Sequence, residues 1–188
     1  ALVDDFLRSH RDSAGIIEGA CDDLFIPQAL GPFWDMARAE PLLREPLHAG
    51  DRPRLLDALI DLMSRPDHPS IVVIEDIHWA DEGTLDAVRY LGRRISRTSG
   101  LLLLTYRDGE VDHDHPLRGV IGDIPPQTVA RIQLPGLSVE AVGELVAGVG
   151  IDAGEAFTAT RGNPLLLSEM AIAAEGTAQG SLQDSLLA

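Results

Sequence analysis

Two runs of consecutive apolar residues dominate the hydrophobic pattern of the chain. The first, Ile71 to Ile74, is β-branched throughout, and the second, Leu101 to Leu104, is all leucine. Strands without polar alternation are typical of a parallel sheet that helices cover on both faces. We therefore predict that these runs are adjacent, parallel, buried strands. Gly15 to Ala20 predicts a further short strand, and Val129 to Leu134 predicts a weaker fourth one.

Helical periodicity fills the segments between these strands. It predicts helices around Phe33 to Arg38, over Arg54 to Arg65 and from about Glu82 to Arg97. Strands that alternate with such helices predict right-handed crossovers and a three-layer α/β core. Leu2 to Arg8 also has apolar residues at helical spacing but no N-terminal cap, which predicts the end of a longer helix and a chain that is cut at its start.

After Pro135 the pattern predicts helices only. We therefore divide the chain into a partial α/β core over residues 1–135 and a partial helical subdomain over residues 136–188. The predicted elements of this subdomain are a helix over Val139 to Ala147 capped by Ser138, a helix over about Ala153 to Thr160, a helix from Asn163-Pro164 over Leu165 to Glu175, a small-residue linker from Gly176 to Gly180, and a helix cut short over Ser181 to Ala188.

An acid pair, Glu75 and Asp76, directly follows the β-branched strand. Open parallel sheets bind their ligands at the carboxyl ends of the strands. One acid could hold a metal ion, and the other could orient or deprotonate an attacking water. Acids at the end of a strand can also do no more than cap the next helix. The pair by itself leaves both interpretations open.

The surrounding sequence extends this signal. Ile71 to Asp81, which is IVVIEDIHWAD, resembles the Walker B strand and turn of the signal-transduction ATPases with numerous domains (STAND), a branch of the AAA+-related P-loop proteins. Three further segments resemble that family in its order: Cys21-Asp22-Asp23 with Leu30-Gly31-Pro32-Phe33 near the second strand, LLLLTYRD from Leu101 to Asp108 as the sensor strand, and RGNPLLL from Arg161 to Leu167 as the lid motif.

The resemblance implies a three-layer P-loop NTPase-like parallel sheet followed by a small helical lid, with ATP or ADP and Mg²⁺ as ligands. It makes Glu75 the acid on the metal side, Asp76 the acid that orients water, and Arg107 the sensor of the terminal phosphate. It places the lid turn near the adenine; this turn consists of Gly162, Asn163 and Pro164. Taken alone, Arg107 would be a surface ion pair, and Pro164 a proline at the first helical position after an Asn cap.

A phosphate-binding loop needs glycine-rich backbone, a lysine for the β and γ oxygens and a hydroxyl for Mg²⁺. All 15 basic residues of this chain are arginine, so the chain contains no such loop. The resemblance puts the loop and the central first strand just before Ala1, which leaves a gap in the sheet between the sensor strand and Val129 to Leu134. The chain is then either a fragment or a natural pseudo-ATPase. The uncapped start and the unfinished last helix favour a fragment.

Composition restricts the partners of the chain. A formal net charge of −15 excludes direct nucleic-acid contact from this segment, because phosphate backbones need clustered basic side chains. No apolar run approaches the ~20 residues of a membrane-spanning helix. Cys21 is the only cysteine and cannot form an internal disulfide. We expect a cytoplasmic protein without a membrane partner, and the unpaired sheet edge leaves self-association open.

The function expected from the resemblance is a fragment of the ATP/ADP-binding regulatory switch domain of a large LuxR-type bacterial transcription regulator. Two alternatives stay open. The chain could be a nucleotide-free pseudo-ATPase that serves as an interaction scaffold, or the same module could control a kinase or cyclase output. Without a lysine in the chain, the sequence leaves ATPase activity undecided.

Overall fold

The computed structural model describes residues 2–24 and 28–174. The chain forms two compact units, Ala1–Ala130 and Arg131–Ala188. The linker predicted from Gly176 to Gly180 and the helix predicted from Ser181 to Ala188 lie outside the described residues.

The first unit contains a sheet of parallel strands. Strands β1 (Gly15–Ala20), β2 (Ser70–Glu75) and β3 (Leu101–Leu104) lie in the order β1-β2-β3. Both pairs are parallel, and Ile71 is in register with Leu101 on one side. The predicted adjacency of the two apolar runs is therefore confirmed.

The burial of these strands differs from the prediction in one respect. Ile71 is 5% exposed and the next three residues of β2 are completely buried, as expected for a central strand. β3 is not buried along its length: Leu101 is 45% exposed and the three leucines after it are half-buried. The reason is its position, since β3 pairs on only one side within the described part of the sheet.

The fourth strand predicted over Val129 to Leu134 is wrong. In the described residues this segment has no strand structure and is not part of the sheet. Its apolar side chains lie at the surface, with Ile132 81% and Leu134 66% exposed. A strand is stabilised by pairing with a neighbour, and alternating apolar residues alone do not supply that neighbour.

Helices cover both faces of the sheet. Side chains alternate along β2, so that Ile71 and Val73 pack with Leu7 of the first helix, whereas Val72 and Ile74 face the core formed with the other helices of this unit. This three-layer α/β arrangement confirms the predicted P-loop NTPase-like fold class. The helices are α1 (Leu2–His10), α2 (Gly31–Ala39), α3 (Pro41–Ala49), α4 (Arg52–Met63), α5 (Glu82–Gly92) and α6 (Pro116–Gly122).

Helix α4 shows why these segments form helices. Asp51 caps its N-terminus, because its side chain accepts a hydrogen bond from the backbone N–H of Arg54 at 3.2 Å. Leu59, Leu62 and Met63 are fully buried on one face. Burial of each such side chain is worth about 1.5–3 kcal/mol, so packing contributes more to this helix than its cap does.

The second unit is helical over its described residues, as predicted. It contains α7 (Val139–Leu145), α8 (Ala153–Thr160) and α9, which covers residues 164–174. Ser138 caps α7 by accepting a hydrogen bond from the backbone of Ala141 at 3.2 Å. The buried core of this unit consists of Val142, Val146, Ala156 and Leu167.

None of the described helices combines the length and the apolar character that crossing a membrane requires.

Candidate functional site

The predicted acid pair and the predicted sensor arginine lie at the same edge of the sheet. β2 ends at Glu75, and Asp76 follows it. The neighbouring strand β3 ends at Leu104, and Arg107 lies in the loop directly after it. Because β2 and β3 are parallel, their carboxyl ends meet at one edge, which is where ligands bind in open α/β sheets.

The turn after β2 has an unusual backbone conformation. Asp76 lies in the left-handed region with φ 50° and ψ 42°. Its backbone N–H donates to the hydroxyl of Thr105 at 3.0 Å, and the N–H of Ile77 donates to the carbonyl of Thr105 at 2.9 Å. Aspartate adopts this region more readily than most residues other than glycine. Thr105 therefore fixes the turn and, with it, the direction of the Asp76 carboxylate.

Glu75 lies in a cluster of negative charge. Burial raises the pKa of this carboxyl, and the carboxylates of Asp4 and Asp76 raise that pKa further. The ionised form of Glu75 is therefore destabilised, and a nearby cation would stabilise it. The described residues do not assemble three or more ligands that could hold a metal ion by themselves. A single carboxylate whose ionised form is destabilised is compatible with Mg²⁺ of the kind that is bound by one carboxylate together with the phosphates of a substrate.

A buried histidine lies between two acids. The ring of His78 is 1% exposed; Nδ1 lies 3.9 Å from Oδ1 of Asp76, and Nε2 lies 3.2 Å from Oε2 of Glu110. The latter distance is short, but its direction does not give a hydrogen bond, so neither ring nitrogen has a hydrogen-bond partner within the described residues. His78 is held from its backbone instead, because its carbonyl lies 3.1 Å from Nε2 of His115.

Glu110 connects this histidine to Arg107. Its Oε1 accepts a hydrogen bond from Nη1 of Arg107 at 3.0 Å, and its Oε2 accepts one from the indole N–H of Trp79 at 3.1 Å. The guanidinium carbon of Arg107 lies 5.2 Å from the centre of the Trp79 ring. The hydrogen bond from Arg107 is the main reason that the pKa of Glu110 lies below its usual range. The ring of His78 thus lies between Asp76 and Glu110, and Glu110 in turn binds Arg107.

Asp81 ties a second loop to the site. Its Oδ2 accepts a hydrogen bond from the backbone of Gly83 at 2.9 Å and caps α5. Its Oδ1 accepts a hydrogen bond from the hydroxyl of Thr84 and another from the backbone N–H of Leu30 at 3.1 Å. Leu30 is itself left-handed, with φ 60°, and lies just before α2. One carboxylate thus holds the start of α5 and the residue before α2 together.

The lid motif has a defined local structure in the second unit. Gly162 has φ 73° and accepts a hydrogen bond from the backbone of Leu137 at 2.8 Å, and a Cβ on Gly162 would overlap the Leu137 backbone. The side chain of Asn163 accepts a hydrogen bond from the N–H of Leu165 at 2.9 Å, and Pro164 is the first helical residue of α9. The capping pattern is confirmed, whereas the adenine contact stays a prediction.

The structure thus brings Glu75, Asp76 and Arg107 to one edge and describes the lid turn as part of the other unit. Sequence reasoning did not identify Thr105 or Glu110 as part of the site. A sequence feature could have identified each of them. Thr105 carries a hydroxyl group directly after β3, and Glu110 follows Arg107 at the spacing of a local ion pair.

Comparison with known proteins gives one match. A model of the AAA ATPase domain family matches residues 1–104, which is more than half of the chain. The matched region runs through α1 to the end of β3, so it includes Glu75 and Asp76 and stops before Arg107. Searches of curated proteins and of solved structures found no match.

Proposed function

Since this chain belongs to the AAA ATPase domain family, we propose that it supplies the acid and sensor residues of an ATP- or ADP-binding regulatory switch. One observation carries the proposal. The acid pair Glu75 and Asp76 follows the buried central strand, and Arg107 lies just beyond the neighbouring parallel strand at the same edge of the sheet. A structural helix cap would need only one of these acids, whereas phosphate chemistry uses acids and a cation together.

We take the roles of the three residues from the resemblance, and the local geometry supports them. Glu75, whose ionised form is destabilised, would bind Mg²⁺. When bound together with a nucleotide, Mg²⁺ would neutralise negative charge on the phosphates. Asp76 orients or deprotonates water from a turn that Thr105 holds in place. Arg107 contacts the terminal phosphate after it leaves Glu110, because a phosphate carries more negative charge than a carboxylate.

The remaining parts of the switch come from the resemblance. Because the chain has no lysine, we place the phosphate-binding loop outside these residues. The segment over residues 136–188 acts as the lid, and Gly162, Asn163 and Pro164 contact the adenine. Closure of the lid on the nucleotide would control a distant output domain, which we infer to be that of a cytoplasmic LuxR-type transcription regulator.

Calorimetric titration with Mg-ATP tests this proposal. The chain alone should bind very weakly or not at all, because two carboxylates face the triphosphate without loop amides or a lysine. A longer polypeptide that adds the preceding residues of the natural protein should bind with micromolar affinity. Micromolar binding by the chain alone would contradict the assignment of the loop, and absence of binding by the longer polypeptide would contradict the switch.

A second candidate function is a nucleotide-free interaction scaffold. The absence of lysine favours it, as does the ion pair that engages Arg107 with Glu110. The coding sequence before Ala1 distinguishes the two candidates. A glycine-rich loop that ends in Lys-Ser or Lys-Thr supports the switch, and its absence supports the scaffold.

A further inference from the structure

A cleft of about 500 Å³ on the outer surface of α4 and α5 is lined by arginines, and we call it the arginine groove. Five of the 15 arginines of the chain lie in it, although the formal net charge of the chain is −15. Such a local excess of positive charge is the opposite of what the overall composition would give by chance. The arginines of the groove are Arg52, Arg89, Arg93, Arg94 and Arg97.

The arginines form a line and do not converge on a point. Arg89, Arg93 and Arg97 follow one another at four-residue intervals on α5 and the 3-10 turn Ile95–Arg97, with Asp86 one turn earlier on the same side. From Asp86 to Arg93 at the C-cap of α5, a helical rise of about 1.5 Å per residue gives a length of about 10 Å, and Arg97 follows in the next 3-10 turn. Several anionic groups in a row fit this arrangement better than a single phosphate does.

One end of the groove already binds carboxylates. Asp86 forms an ion pair with Arg52, with 3.0 Å between Oδ2 and Nη2, and its Oδ1 accepts a hydrogen bond from Nη1 of Arg89 at 3.0 Å. Asp123 lies 2.9 Å from Nε of Arg89, although the direction of this contact does not give a hydrogen bond. The guanidinium carbon of Arg94 lies over the ring of Tyr90, 3.5 Å from its centre. The carboxylate is therefore the anion that these guanidiniums bind within the protein itself.

At the other end of the groove, the described part of the chain places no carboxylate in an ion pair with an arginine. Arg93 and Arg97 are exposed, and no side-chain partner for either is found within the described residues. Basic residues near the end of a helix also interact with its dipole, which accounts for Arg93 and Arg94 but not for Arg52 on the first turn of another helix. The dipole alone therefore does not explain why the line continues across two helices.

The position of the groove separates it from the site of the acid pair. α5 follows the carboxyl end of β2 and returns to the start of the parallel strand β3. The end of α5 that carries Arg93 and Arg97 therefore lies toward the opposite edge of the sheet from Glu75 and Asp76. A ligand of the groove would not compete with a nucleotide.

We propose that the arginine groove binds an acidic helix of a partner protein whose carboxylates are spaced i, i+4, so that they pair with Arg93 and Arg97. Guanidinium groups bind carboxylates through two parallel hydrogen bonds, which gives such pairs a defined geometry. Nucleic acid is disfavoured, because its phosphate array extends beyond the groove and would meet the rest of a chain with net charge −15, whereas a short acidic helix can place its carboxylates within the groove alone.

Fluorescence anisotropy with a labelled, alanine-based helical peptide that carries glutamates at i, i+4 spacing tests the proposal. The intact chain should bind this peptide at low salt, should lose affinity as salt is added, and should not bind the same peptide with glutamines. Arg93→Ala with Arg97→Ala should weaken binding by at least about fivefold. The double variant Arg93→Lys with Arg97→Lys keeps the charge but loses the guanidinium geometry. Its affinity for the glutamate peptide should therefore lie between that of the intact chain and that of the double alanine variant.

The matched control is Arg8→Ala with Arg11→Ala, which removes the same charge from exposed positions in and just after α1 on the other face of the sheet. It should change affinity by less than about twofold, and circular dichroism should show unchanged folding of all variants. Absence of binding by the glutamate peptide, or equal loss in the control, would overturn the proposal. Tighter binding of pyrophosphate or duplex DNA through Arg93 and Arg97 would also overturn it, because the ligand would then be a phosphate.

Discussion

Arg107 and Glu110 form an ion pair, with 3.0 Å between Nη1 and Oε1. Arg107 is the residue proposed to contact the terminal phosphate, and in the structure its side chain is held by a carboxylate of its own loop. The pair is more than one-third exposed on both sides and is therefore weak, of the order of 0–1 kcal/mol. A weak pair of this kind can be exchanged for a phosphate without a large energetic cost.

Glu110→Gln should release Arg107 without unfolding the chain. In a Trp34→Phe background, which leaves Trp79 as the only tryptophan, the guanidinium near the indole is then no longer neutralised. We expect stronger quenching of Trp79 fluorescence by the iodide anion and unchanged quenching by neutral acrylamide. The control Glu144→Gln, at an exposed position of the second unit, should change neither. Iodide quenching that stays the same in Glu110→Gln would show that the pair does not control the charge at Trp79.

Asp76→Asn should preserve the turn after β2 but slow ATP hydrolysis. Asparagine also tolerates the left-handed conformation, and the bond from the backbone of residue 76 to Thr105 does not involve the side chain, so the turn should persist. In a polypeptide that includes a phosphate-binding loop, ATP hydrolysis should fall by about 10² or more, with nucleotide affinity nearly unchanged. Single-turnover hydrolysis and calorimetry measure the two quantities. Asp112→Asn, an exposed acid beyond Arg107, is the control and should hydrolyse ATP at the original rate.

Asp81→Ala should destabilise the fold more than the loss of an ordinary helix cap. Asp81 caps α5 and also accepts hydrogen bonds from Thr84 and Leu30, so we expect a loss of about 2–3 kcal/mol in the free energy of unfolding. Asp51→Ala removes only the cap of α4 and should cost about 1 kcal/mol. Urea denaturation measures both values. Equal losses would mean that the link to Leu30 contributes nothing.

Cys21 should be unreactive in the folded chain. Burial, followed by the charges of Asp81 and Asp76, raises the pKa of its thiol to about 12, so the thiolate fraction at pH 8 falls by roughly 10³ from that of an ordinary cysteine. Alkylation by iodoacetamide should be slow in buffer and fast in urea. The folded state keeps the thiol protonated, so this residue should lower stability only above about pH 9, where the unfolded chain releases the proton. Rapid alkylation of the folded chain at pH 8 would contradict this environment.

Sequence reasoning recovered the parts of the fold that rest on strong local patterns. The β-branched run Ile71 to Ile74 has no alternation and became the central strand, because residues apolar on both faces can be satisfied only between helices. Helix α3 carries prolines at positions 41 and 46, which conceal a helical pattern, and was not predicted. Val129 to Leu134 shows the converse error, since its alternation is present without a paired strand.

The residues of the candidate site could be predicted only in part, because local patterns mark individual residues but not the contacts between them. Glu75 and Asp76 are marked by the strand before them, and Arg107 by the strand beside them. Their connection is not local in sequence: His78 reaches Glu110 across 32 positions, and Asp76 meets Thr105 across 29 positions. Contacts of this kind depend on how β2 and β3 pair, and no periodicity within either segment contains that information.

The most direct test of the central claim is to compare ATP and ADP dissociation constants for Arg107→Ala in a polypeptide that includes a phosphate-binding loop. If Arg107 contacts the terminal phosphate, the ATP constant should rise by at least about tenfold and the ADP constant by less than about threefold, because only ATP carries that phosphate. Arg65→Ala, at an exposed position outside this sheet edge, should change neither constant. ATP and ADP constants that rise together in Arg107→Ala, or that both stay unchanged, would contradict the assignment of Arg107 as the sensor.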